Sequence, residues 1–142
     1  MNLQEILKAH KVWLDSDQKE GRQANLEGRH LMNINLEEVD LRQANLKMAH
    51  LENANLRRAR LDGANLWSAH LERAQMEGAH LQETNLWGAY MDEAHLEEAD
   101  LRRAHLEAAH LRGAMLMRAN LSEANLERAN LWETHLEEAC LE

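Results

Sequence analysis

The chain has 142 residues, a formal net charge of −9 at pH 7 and one cysteine, Cys140. A single cysteine excludes a disulfide framework and a multi-cysteine metal site, and the acidic balance weighs against direct nucleic-acid binding, which rests on Lys and Arg neutralising phosphates. No apolar run is long enough to span a bilayer and no basic-then-apolar leader opens the chain, so the expectation is a cytoplasmic protein with no membrane partner.

Residues 2–15 read as an amphipathic helix. Leu3, Ile6, Leu7, His10, Trp13 and Leu14 share one face at i, i+3, i+4 and i+7 spacing. Asn2 followed by Glu5 has capping-box form, and Asp15-Ser16-Asp17 with Gly21 break the helix. Lys8 and Lys11 are too few for a membrane-surface helix. The apolar face is expected to cover the open end of the next element, making residues 1–20 a cap.

From Leu26 to Leu141 a large apolar residue returns every five positions, always Leu except at Met76 and Met91. Two residues before each stands a small residue, usually Ala; Arg29, Ile34, Val39, Thr84 and Thr134 are the exceptions. A helix cannot use this period, because each repeat rotates the leucine by about 140° and no stripe forms. A long strand cannot either, since an odd period sends successive leucines to opposite faces. A short extended piece that turns once per repeat does work. With the leucine as position i, positions i−2 and i then face inward, and i−1, i+1 and i+2 face out.

The i−1 positions set the number of sides. Asn25, Asn45, Asn65, Asn85 and Asn125 recur at multiples of twenty, as do His30, His50, His70 and His110. A coil of fifteen would mix these types in one column, so four repeats per turn is the better reading. Runs such as Ala-Asn-Leu-Arg-Arg at 54–58 and Ala-Asn-Leu-Glu-Arg at 124–128 resemble the pentapeptide-repeat family pattern A(D/N)LXX. The resemblance covers residues 21–142. It implies an all-β solenoid, a right-handed quadrilateral β-helix of about six coils, and a chain that binds rather than catalyses.

No catalytic, cofactor or metal site is expected. The column of His50 and His70 is interrupted by Tyr90, and no cysteine or paired carboxylate joins it at ligand spacing. Glu37-Glu38 and Glu97-Glu98 fall on one side with Glu77 between them. A convex rod offers no cleft for general acid–base work, so these glutamates are read as an acidic face available to a partner. Ser16, Ser68 and Ser122 lack the context of a nucleophilic triad. Met48, Trp67 and Trp87 lie on another side, with Tyr90 across the next corner, and Trp67 and Trp87 are one coil apart. These exposed aromatics are the leading candidates for protein contact.

Two functions follow. The first is a non-enzymatic protein-binding scaffold, its partner unnamed by the sequence. The second comes from the resemblance: some pentapeptide-repeat proteins bind DNA gyrase, a type II topoisomerase, by imitating duplex DNA and so protect against quinolones. Here a charge of −9 over roughly 29 Å gives about one charge per 3 Å, against about one per 1.7 Å in DNA. The chain also lacks the loop insertions of some gyrase-binding relatives, and the phenylalanines common at their inward positions. At the C-terminal coil, Leu126, Leu131, Leu136 and Leu141 form one inward layer with no helix after them, and a homodimer through that layer is expected.

Overall fold

In the computed structural model, which describes residues 1–142, one helix precedes a chain that turns every five residues. Helix α1 spans Leu3–Asp15. Its capping box is complete: the Asn2 side chain accepts from the Glu5 N–H at 2.9 Å, and the Glu5 carboxylate accepts from the Asn2 N–H at 3.3 Å. Gly21 then lets the chain double back. It has φ +75°, and a β-carbon there would collide with the Ala9 carbonyl.

Beyond α1 every i−1 residue forms a parallel bridge to the residue twenty positions on, from Asn25–Asn45 to Asn120–Cys140. A coil is therefore four five-residue sides. The backbone donors of each repeat can be accounted for almost completely, as a buried wall requires. Leu46 N–H donates to the Asn65 carbonyl and Met48 N–H to the Trp67 carbonyl of the next coil, at 2.7 and 2.9 Å. Asn45 N–H donates back to Ala24, and Ala49 N–H closes the turn onto Leu46. That leaves the i+1 N–H. Wherever i−1 is Asn or Asp, that side chain commonly accepts it, as Asn65 does from Trp67 and Asn125 from Glu127. The recurrent Asn is thus a turn residue that replaces a missing backbone acceptor.

The turn also demands a left-handed residue. Position i+2 has positive φ throughout the array, between 52° and 67°, and glycine fills only five of these places. Positive φ confined to the third turn residue is the type II pattern. Most of the corners therefore carry a side chain in a region that costs an L-residue roughly 1–2 kcal/mol. Ala108, with φ 58°, loses only a methyl group on conversion to glycine. Ala108→Gly is expected to stabilise the protein by up to about 1 kcal/mol, less the unfolded-state entropy of glycine. Ala108→Val should destabilise it, and urea unfolding of the two variants distinguishes the signs.

Inside, Leu and Ala stack on themselves. Leu41 through Leu121 and the alanines from Ala44 to Ala119 are essentially solvent-free. The interior holds one large and one small residue per side. Where Thr84 and Thr134 replace alanine, each hydroxyl donates to a carbonyl, of Leu61 and Leu111, at 2.8 Å, so no buried polar group is left unpaired there.

The two ends differ. Leu3, Ile6 and Leu7 of α1 pack against the core, and Leu26, Leu31, Leu36 and Leu41 beneath are buried. His10, fully buried, accepts the Ala24 N–H on Nδ1 at 3.0 Å and stacks on Trp13. Burial pushes its pKa down, and the neighbouring Arg42 backbone offsets this only in part. At the other end Leu126, Leu131 and Leu136 are half-buried and Leu141 is 55% exposed.

Candidate partner-binding surface

Because coils repeat at the strand spacing, identical outward positions form ladders about 4.8 Å apart. On the tryptophan side the i+1 ladder runs Glu27, Lys47, Trp67, Trp87, Glu107, Glu127. The Trp67 and Trp87 indoles stack with centroids 5.6 Å apart and planes 5° from parallel. Lys47 lies over the free face of Trp67, its Nζ 5.0 Å from the ring, a cation–π contact. Trp87 is 43% exposed and Met48 46%. An open concavity runs beside the indoles, lined also by Glu83, Asn85, His105 and Glu107.

Around the corner the imidazole side forms a continuous stack. His30, His50, His70, Tyr90 and His110 follow one another with ring centroids 4.7–4.8 Å apart. Tyr90 does not interrupt the stack; its ring substitutes for an imidazole. The expectation that no paired carboxylate joins this column at ligand spacing is corrected. Glu52 stands 3.3 Å from His50 and Glu72 3.6 Å from His70, because i−1 and i+1 side chains leave the coil from the same side.

The acidic side is only partly free. Arg58 bridges Glu37 and Glu38 at 2.6 and 2.9 Å, Arg57 contacts Glu77 at 3.4 Å, and Arg118 contacts Glu98 at 3.0 Å. Glu97 pairs with His95 alone, at 3.4 Å. On the remaining side Asp40 and Asp100 each hold an arginine two residues on. Burial pushes the Asp40 carboxyl up, but the hydrogen bonds and charge of Arg42, with Arg60 nearby, hold it below its ordinary value, and the Arg102 guanidinium brings the Asp100 carboxyl down to about 2. Arg103 likewise pairs with Glu83 at 3.1 Å, whereas Asp62 and Glu123 on that side have no ion pair.

The structure thus brings Met48, Trp67 and Trp87 onto one side and places Tyr90 on the next. Glu37, Glu38, Glu97 and Glu98 share a third side. Two features escaped the sequence reading. Trp132, 62% exposed beneath the Arg112 guanidinium, occupies the same i+1 place as Trp67 and was findable from register alone. The acidic rim of the tryptophan concavity, Glu83 and Glu107, comes from two different sides and needed the corner geometry.

Comparison with known proteins accords with this architecture. The "Pentapeptide repeats" family profile matches residues 22–58, 59–97 and 94–133. No curated protein matches the chain. Among solved structures it is similar to the pentapeptide repeat protein Rfr23 from the cyanobacterium Cyanothece 51142. That match has 30% identity and a TM-score of 0.60, and covers 94% of either chain. HetL, a pentapeptide repeat protein from Nostoc sp. strain PCC 7120 involved in heterocyst differentiation regulation, is 33% identical over 85% of this chain and 69% of its own, with a TM-score of 0.36. QnrB1, a plasmid-mediated fluoroquinolone resistance protein, shares 16% identity over 87% of this chain and 68% of its own, at a TM-score of 0.51; that likeness is one of fold. With its repeats matched over most of their length and its coils paired at twenty residues, the chain belongs to the pentapeptide-repeat family.

Proposed function

We propose that this protein is a non-enzymatic binding scaffold, a rod of about six coils capped by α1, that engages a protein partner through its tryptophan side. The observation that carries this reading is the Trp67–Trp87 stack, with Trp87 and Met48 open to solvent. A preformed, rigid aromatic pair contributes contact area without losing side-chain entropy on binding, and tryptophans are enriched among residues that dominate interface energy. Tyr90 extends the surface around the corner, and the acidic side (Glu97 and Glu98 with the Arg58-bridged Glu37 and Glu38) presents charge to a basic partner.

The test is comparative capture from lysate on immobilised protein. Partners retained by the parent chain should be lost or weakened at least about thirtyfold in Trp67→Ala/Trp87→Ala, an interface loss of about 2 kcal/mol or more. Retention of every partner by the double variant rejects the tryptophan side as the binding face.

The second reading is imitation of DNA toward gyrase or another type II topoisomerase. The net charge of −9 and the rod shape favour it; the extensive arginine pairing on the acidic side weighs against it, since it leaves fewer free anions to stand for phosphates. A supercoiling assay with purified gyrase discriminates: inhibition, or relief of quinolone inhibition, selects this reading over the first.

The last coil carries a further part of the proposal. Leu126, Leu131, Leu136 and Leu141 are the least covered inward residues of the array. The N–H groups of Leu126, Arg128, Leu131 and Leu136 have no backbone acceptor, whereas the equivalent donors of earlier coils do. An edge of this kind presents donors and acceptors together, so a second copy related by a two-fold axis completes the ladder and buries the leucines of both protomers.

A further inference from the structure

Five His-Leu-Glu triplets stand in the chain, at 50–52, 70–72, 95–97, 105–107 and 135–137. Each sets an imidazole beside a carboxylate, with Nδ1 to Oε1 separations of 3.3–3.6 Å. What distinguishes them is the preceding coil. Beneath His105 and Glu107 lie Asn85 and Trp87; beneath His135 and Glu137 lie Met115 and Met117. Neither pair adds a ligand to match. Beneath His95 and Glu97 lies Glu77, and ligand atoms of all three residues fall within 4.8 Å of one another.

His50, Glu52 and His70 meet the same distance condition, yet the geometry there is unsuitable. The two imidazoles are stacked 4.7 Å apart and 2° from parallel. Two metal–nitrogen bonds of about 2.0–2.1 Å span at most about 4.2 Å and require converging lone pairs. Parallel rings direct theirs side by side. At His95 and Glu97 a metal about 2.05 Å from each atom would subtend roughly 110°, near the tetrahedral angle, as it would at the other four pairs; here the third ligand is the carboxylate of Glu77 on a flexible side chain, not a second imidazole held parallel.

The surroundings of this triplet concentrate negative charge. Glu77 and Glu97 are one coil apart on the same ladder, and the Oε2 atom of each is shielded from solvent with no hydrogen-bond partner, a feature they share with Glu52, Glu72 and Glu107. Arg57 reaches only the other oxygen of Glu77, and no guanidinium comes within 4 Å of Glu97. Gly78 leaves the adjoining corner open, so a concavity lined by Arg58, Glu77, Gly78, Glu97 and Glu98 gives water and ions access.

We propose that Glu77, His95 and Glu97 bind one divalent transition metal of the zinc class, through His95 Nδ1 and one oxygen of each carboxylate, with water completing the shell. This departs from the sequence expectation of no metal. One imidazole with two carboxylates suits borderline ions such as Zn²⁺ or Co²⁺; Ca²⁺ and Mg²⁺ prefer all-oxygen sites and Cu⁺ prefers thiolates. The site lies on a different side from the tryptophans and does not depend on partner binding. It joins two successive coils, so the metal stabilises only the folded chain.

Calorimetric titration of the full chain with Zn²⁺ near neutral pH tests this, with Co²⁺ absorption reporting the ligand field. The expected result is one equivalent bound, with affinity lowered at least about tenfold in His95→Asn and in Glu97→Gln, and unchanged in His50→Asn and His105→Asn. Zinc should also raise the melting midpoint of the parent chain and leave that of Glu97→Gln where it was. All four positions face outward, so circular dichroism should show the variants folded. No saturable binding, equal weakening in every histidine variant, or binding indifferent to Glu97→Gln overturns the proposal.

Discussion

Ala104→Leu is expected to destabilise the protein by about 1–3 kcal/mol or more, although the change only adds apolar atoms to an apolar interior. Ala104 is buried at an i−2 position, beside an interior already filled by Leu106 and its neighbours. The coil cross-section is set by backbone hydrogen bonds of 2.7–3.0 Å to the coils on either side, such as Leu106 to Asn125 and Asn125 to Ala104, so a wall cannot move outward without straining them. The converse change, Leu71→Ala, removes a fully buried side chain and should cost about 2–5 kcal/mol, because walls held at fixed spacing cannot collapse into the cavity. Glu127→Ala, on the exposed surface, should shift stability by less than about 0.5 kcal/mol. Urea unfolding measures all three. A tolerated Ala104→Leu would show that the interior is wider than its alanine lining implies.

Removal of residues 1–20 should produce the second large effect. The remaining coils keep their own ladders and should still fold, since each rests on its neighbours. If α1 is their cover, Leu26, Leu31, Leu36 and Leu41, buried in the first coil, would meet water, each forgoing about 1.5–3 kcal/mol of burial. The truncated chain is expected to associate through that end, and light scattering reads it directly. A truncated chain that stays monomeric and equally stable at high concentration would remove the capping role. The same instrument separates two dimer geometries. Leu141→Asp should dissociate an end-to-end dimer, whereas a dimer that survives it but falls apart in Trp67→Ala/Trp87→Ala is side-by-side. Acidification should loosen the packing of α1 selectively. His10 accepts the Ala24 N–H and has a pKa lowered from 6.5, so its contribution is complete above about pH 6.5 and is lost as pH falls through the lowered value.

The repeat array was legible because its signal is one-dimensional. Which residues face inward follows from a period of five, and which residues stack follows from a period of twenty in the Asn and His positions; neither needs long-range information. The helix face of Leu3, Ile6, Leu7 and His10 was legible for the same reason. The Trp67–Trp87 stack also follows from register, since identical places in successive coils must lie one strand spacing apart.

What lay beyond the sequence depended on angles and on contacts across corners. A period of five does not state that i+2 takes positive φ; the absence of Val, Ile and Thr from those corners is a trace that becomes meaningful only with the turn known. Nor does it state that the Asn side chain accepts the i+1 N–H, because that bond depends on the side-chain rotamer. The Asn and His columns looked equivalent as outward ladders, yet Asn completes the backbone and His does not replace it. The candidate metal triplet shows the division most clearly. Five identical His-Leu-Glu triplets are indistinguishable along the chain. Only the coil beneath decides that one receives Glu77, another Trp87, and that the imidazoles of His50 and His70 lie parallel. Local repetition determined the architecture, while the chemistry of any one surface point was decided by its neighbour twenty residues away.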